Sequence, residues 1–196
     1  MDIVLVHPEI PHNTGCAGRL AAATGVPLHL VEPLGFSLDD RYLKRAGLDY
    51  WPLVPLSVHA DWSALTAALG GADLLASRMR LFSARGGESL FDVSFACDDV
   101  LVFGCESTGL PRELLEQHSD RKVYVPVRSG VRSLNLANTV CLATYTALHR
   151  SGAGLPDNDG SYAPDPRSNE GVRPREVARV QSPQPRKPRS LPGPPS

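Results

Sequence analysis

Short blocks of apolar residues recur along the first 150 positions of this chain. IVLV follows Asp2, LHLVE begins at Leu28, RLFSA at Arg80, VLVFG at Val100 and KVYVP at Lys122. Each breaks into Gly, Pro, Ser or Asn, as expected of short strands buried on both faces. The intervals between them read as helices. A small-residue helix runs through Arg19 to Ala23, with Thr14 as its expected N-cap and Gly25-Val26-Pro27 as its end. Further helices are predicted from Asp39 to Arg45 before Gly47, from Asp61 to Leu69 before Gly70-Gly71, over RELLEQH from Arg112, and from Leu136 to His149. DYWPLVPL is broken by proline and suits an edge strand. Over 72–84 the pattern allows two readings, with ADLLASRM helical and RLFSA the next strand. Strands alternating with helices predict an α/β fold with a largely parallel sheet flanked by helices.

Composition divides the chain at about residue 151. Ten of the 18 prolines follow Gly152, and few large apolar residues accompany them. The expected organisation is a folded domain over 1–151 and a disordered Pro/Arg-rich tail over 152–196. From Ser151 onward there are seven Lys/Arg and five Asp/Glu, a charge of +2, so the total of −1 leaves −3 on residues 1–150. Six basic residues against Glu176 between Arg173 and Arg189 would suit RNA phosphates, though a solvated extension is the simpler reading. No apolar run approaches the ~18 residues of a membrane span, and IVLV is too short for a signal-peptide core. Cys16, Cys97, Cys105 and Cys141 lack metal-ligand spacing and sit among apolar neighbours. They read as reduced, mostly buried thiols of a cytoplasmic protein.

Three loops carry the candidate chemistry. HPEIPHNTG precedes a helix bearing Arg19, an arrangement suited to an anion. GCESTGLP places Glu106 between Gly104 and Gly109; the carboxylate either accepts loop amides or fixes an arginine or a substrate donor. RSGVRSLNLAN brings Ser133, Asn135 and Asn138 into a helix, more polar residues than capping needs. Two Gly/Ser/Asn loops after neighbouring apolar runs suggest one shared pocket. GxGxxG, GxxxxGK[ST], GxSxG and HExxH are all absent from the sequence, which speaks against dinucleotide, P-loop, α/β-hydrolase and zinc-protease chemistry.

In order and spacing, PEIPHNTGCAGR, LVFGCESTGLP and VPVRSGVRSLNLANTV resemble the three motifs of SPOUT-class RNA 2′-O-ribose methyltransferases. EPLGFSLDDRYLKRAGLDYW resembles the branch acting on cytidine-34 or carboxymethylaminomethyluridine-34 of leucine tRNAs. The resemblance covers about residues 1–151. It implies a C-terminal trefoil knot, a homodimer with a composite site, and S-adenosylmethionine as methyl donor. It places Phe82, Gly104, Val125, Ser133 and Leu134 around that cofactor. It gives Arg19 the catalytic role, better suited to orienting phosphate and stabilising alkoxide than to taking a proton. Asn13, Glu106 and Asn135 become supporting or RNA-facing residues, and Tyr50, Trp51 and Arg85 candidates for the anticodon loop. Arg85 stands where relatives frequently have Lys. Methylation of another RNA position and a silent RNA-binding homologue are the alternatives.

Overall fold

The computed structural model describes residues 1–38, 50–157 and 178–180. The helix expected from Asp39 to Arg45 lies outside them, as does most of the expected tail.

Eight strands form one sheet: β1 Asp2–Val6, β2 Leu28–Val31, β3 Leu56–His59, β4 Met79–Phe82, β5 Glu88–Ser89, β6 Val100–Phe103, β7 Lys122–Tyr124 and β8 Ala178–Val180. Their order is β5-β7-β4-β6-β1-β2-β3-β8, and every pairing is parallel. The helices are α1 Pro11–Thr24, α2 Trp62–Ala68, α3 Ala72–Arg78, α4 Arg112–Gln117 and α5 Leu136–Ser151. Both readings of 72–84 hold in succession, since α3 runs directly into β4.

The all-apolar strands are explained by burial on two faces. Alternate residues Ile3, Leu5, Leu28, Leu30, Leu101 and Phe103 meet Ala17, Leu20 and Ala21 of α1 and Val140, Ala143 and Ala147 of α5. On the other face Val4, Val6, Val31, Val100 and Val102 meet Leu65 of α2 and Leu75 of α3. Small residues on α1 and α5 let those helices lie against each other. The last turn of α5 reaches the connection between β5 and β6. There Arg150 donates to the Phe91 carbonyl, and the Cys97 thiol donates to the Ser151 carbonyl at 3.3 Å.

Several expectations change. α1 starts at Pro11, not at Thr14: proline at the first helical position needs no N–H partner, and Ile10 takes the cap position without a side-chain bond. Thr14 is buried and its hydroxyl has no partner among the described residues. The edge strand expected in DYWPLVPL is displaced. Trp51–Leu53 form a 3-10 turn and the strand is LSVH, flanked by β2 and β8. Residues 178–180 fall in the stretch expected to be disordered, yet they pair with Ser57–His59. The cysteines are not buried: Cys16, Cys97 and Cys141 are exposed and Cys105 is intermediate. Apolar neighbours in sequence say little about a helical position, because consecutive side chains diverge around the axis.

A partly buried polar chain crosses the α2/α3 face. Arg78 reaches Asp2 at 3.4 Å, Asp2 lies 3.4 Å from Nε2 of His29, and Nδ1 of His29 lies 2.9 Å from Nε2 of His59. Burial, reinforced by His29, pushes the His59 pKa down to about 4. From the ordinary value of 6.5 down to about 4 the unfolded chain takes up a proton that the folded chain refuses. Stability is therefore fully present above this window and falls as pH drops through it, by up to about 1.4 kcal/mol per pH unit. Asp2 acts in the same direction. Burial alone would raise its pKa, but the His29 hydrogen bond and the nearby positive charges hold it low. Urea denaturation at pH 7.5, 5.5 and 4.5 should show this loss, and His59→Gln should flatten it; an equal slope in the variant would exclude His59 as its source.

Candidate active site

Four adjacent strands, β7-β4-β6-β1, deliver the three loops to one end of the sheet. Ligands of open parallel sheets bind there, outside the carboxyl ends of the strands. A pocket of about 490 Å³ opens at this point. It is lined by Phe82 at the end of β4, Gly104 after β6, Val125 after β7, and Ser133, Leu134 and Asn135 before α5. Asn13 and Glu106 line it as well. Thus eight of the nine predicted site residues meet in one cavity. The ninth, Arg19, does not line it: it stands exposed on α1, its guanidinium 4.6 Å from the centre of the Tyr50 ring.

Glu106 is the junction of the loops. Its carboxylate accepts from the Glu9 and Ile10 amides at 2.8 and 3.3 Å and from the Asn13 side-chain amide at 2.8 Å. These donors sit at the N-terminal end of α1, where negative charge is favoured. Glu9 returns the contact, accepting from the Ser107 amide at 3.0 Å and its hydroxyl at 2.7 Å. The two carboxylates lace loops one and two together. Of the two roles open to Glu106, the structure shows the first: within its own chain it accepts from the loop amides and Asn13. Glu9 was missed, although a carboxylate inside a Pro-bounded loop was the available signal.

Asn135 joins loop three to loop one. Its carbonyl caps α5, accepting from Ala137 and Asn138 amides at 2.9 and 3.4 Å, while its NH₂ donates to Asn13 Oδ1 at 3.0 Å. One residue thereby uses both halves of its amide, and Asn13 links Glu106 to Asn135.

The pocket floor is apolar. Phe82 and Phe103 stack with centroids 4.4 Å apart. The Gly104 loop turns back so closely that a Cβ there would meet the Gly109 carbonyl carbon at 2.0 Å. Cys105 lies 3.0 Å from the Thr108 hydroxyl. Burial alone would raise its thiol pKa, but bonds from Thr108 and Ser107 outweigh it and hold the thiol below its ordinary value. Among the described residues no cluster of three His, Cys, Asp or Glu side chains could hold a metal.

A cavity of this size, with an aromatic floor and polar loop groups at its edge, suits a ligand of cofactor size with a flat apolar part and a polar edge. The SpoU rRNA Methylase family profile matches residues 1–145. The chain belongs to that family. It is a methyltransferase, and S-adenosylmethionine is its methyl donor. A relative from Burkholderia cenocepacia, named tRNA (cytidine(34)-2′-O)-methyltransferase, is 47% identical over 152 residues, covering 77% of this chain and 96% of its own. A solved structure described as giving insight into the 2-OH methylation of C/U34 on tRNA is 47% identical with a TM-score of 0.71, covering 78% of this chain and 97% of that one. The SpoU methyltransferase AviRb from Streptomyces viridochromogenes, solved with AdoMet, shares the fold: TM-score 0.64 at 21% identity, over 79% of this chain and 58% of that one.

Proposed function

We propose that this methyltransferase modifies the ribose 2′-OH of the wobble nucleotide, cytidine-34 or carboxymethylaminomethyluridine-34, in leucine tRNAs. The observation that carries the reading is the convergence of three loops on one pocket, fastened by Glu106, Asn13 and Asn135. The high identity to relatives named for position 34, over nearly their whole length, supports the choice of nucleotide.

Phe82, Val125 and Leu134 would cover the cofactor's apolar faces, with the Gly104 and Ser133 loops offering backbone groups to its polar edges. When bound, S-adenosylmethionine supplies an activated methyl group to a nucleophile aligned with it. This chain contributes alignment of the ribose and removal of water, which account for much of the rate of such transfers. Arg19 orients the RNA phosphate and stabilises the developing alkoxide; its guanidinium stays protonated, so it serves charge and geometry better than proton removal. Because Arg19 stands outside the pocket of its own chain, we assign it to the pocket of a second copy in a homodimer. The trefoil threading is read from the resemblance of the three loops to the SPOUT motifs. Among the described residues no helix is long and apolar enough to cross a membrane; the proposed site of work on tRNA is the cytoplasm.

Purified protein given labelled S-adenosylmethionine and leucine tRNA should incorporate methyl groups that mass spectrometry maps to the 34 ribose. Methylation at another position would overturn the substrate, and none on any RNA would overturn the reaction.

A further inference from the structure

Arg19 is held, among the described residues, by an aromatic ring and by no acid. Among the described residues the one contact its guanidinium makes is with Tyr50, Cζ lying 4.6 Å from the ring centroid. Tyr50 is itself fixed, since its hydroxyl donates to the Gly15 carbonyl at 3.0 Å, one turn earlier on α1. The next residue continues the strap. Trp51 lies so close to Gly18 that a Cβ there would sit 2.7 Å from a ring carbon. Two consecutive aromatic residues thus grip α1 at Gly15, Gly18 and Arg19.

The choice of a ring over a carboxylate has a chemical consequence. A carboxylate would occupy the in-plane N–H fork of the guanidinium, the same edge a phosphate uses. A guanidinium lying flat on a ring gives only its face to the π-cloud and keeps the donors in its plane open. We propose that Tyr50 is a positioning residue that holds Arg19 by its face and presents the N–H edge to a phosphate of the RNA. The proposal rests on the reading of Arg19 given above. It also reassigns Tyr50, which the sequence alone offered as a stacking surface for the anticodon loop: the face covered by Arg19 is closed to a base.

The test is a cycle of Tyr50→Leu, Tyr50→Phe and Arg19→Ala in the full chain, read by single-turnover methylation and by RNA-binding anisotropy. Tyr50→Leu should slow transfer and weaken RNA binding by about 5- to 30-fold, the scale of a cation–π contact, with S-adenosylmethionine affinity within about twofold. Tyr50→Phe keeps the ring and should recover most of that loss. In the Arg19→Ala background, Tyr50→Leu should cost RNA binding nothing more. Full additivity, or cofactor affinity falling in parallel, would reduce Tyr50 to a structural role and overturn the proposal. Methylation without coupling sinks Tyr50 alone; coupled RNA binding without methylation sinks the activity and leaves Tyr50 standing. No RNA binding at all overturns both.

Discussion

Arg19→Ala is expected to lower single-turnover methylation of tRNA by at least about 100-fold while S-adenosylmethionine affinity, measured by calorimetry, stays within about twofold. The size follows from removing a charged donor aimed at developing negative charge, which typically costs 10²–10³ in rate. The selectivity follows from placement. Within its own chain Arg19 lines no part of the 490 Å³ pocket, makes no bond to Glu106 and is exposed on α1. The role assigned to it in a second copy's pocket is toward the RNA phosphate, not the cofactor. Its loss therefore leaves the Glu106–Asn13–Asn135 lacing untouched. Arg19→Lys separates charge from shape: the ammonium keeps the charge but loses the planar fork, so it should rescue the Ala variant only in part. Turnover near wild type in Arg19→Ala would remove this residue from the reaction, and a parallel fall in cofactor affinity would place it in the cofactor site.

The legible features were those whose signal is local and whose consequence is obligatory. IVLV, VLVF and LHLV could only be strands with both faces covered, and parallel pairing followed from the helices between them. The Gly/Ser/Asn loops had to lie at strand ends, so their convergence could be anticipated. Features decided by tertiary partners were hidden. LSVH looks half polar, and it is a strand because His59 is buried against His29 thirty residues away. Glu88–Ser89 is too short to carry a period, and it joins the sheet through β7. Three residues of a Pro-rich stretch became an edge strand because β3 presented a free edge. At the site, sequence indicated that Glu106 mattered and left its role open, because a carboxylate does not declare its donors. The same limit applied to Arg19. Charge and position suggested an anion, whereas the ring that holds it lies 31 positions later, a contact no spacing rule contains.

Gly104→Ala should be the most damaging small substitution in the pocket, raising the S-adenosylmethionine dissociation constant more than about 100-fold and costing roughly 3 kcal/mol or more of stability. A Cβ at this position would lie 2.0 Å from the Gly109 carbonyl carbon, 2.1 Å from the Leu110 nitrogen and 2.3 Å from the Gly109 oxygen. All three are backbone atoms, so no side chain can rotate away. The loop from Gly104 to Leu110 would have to open by more than an ångström, and it is closed by the Gly109 amide bonding to the Cys105 carbonyl at 3.0 Å. Glu106 sits at its centre, so opening the loop pulls its carboxylate from the Glu9, Ile10 and Asn13 donors and leaves them unpaired. Gly109→Ala provides the contrast. Nothing lies within 4 Å of its Cβ position, but its φ is +77°, so the cost is conformational, about 1–2 kcal/mol. Thermal melts and calorimetry on the two variants should rank Gly104→Ala well below Gly109→Ala in both stability and cofactor affinity. Equal melting temperatures with unchanged cofactor binding would show that the loop relaxes freely, and that its close return is not what shapes the pocket.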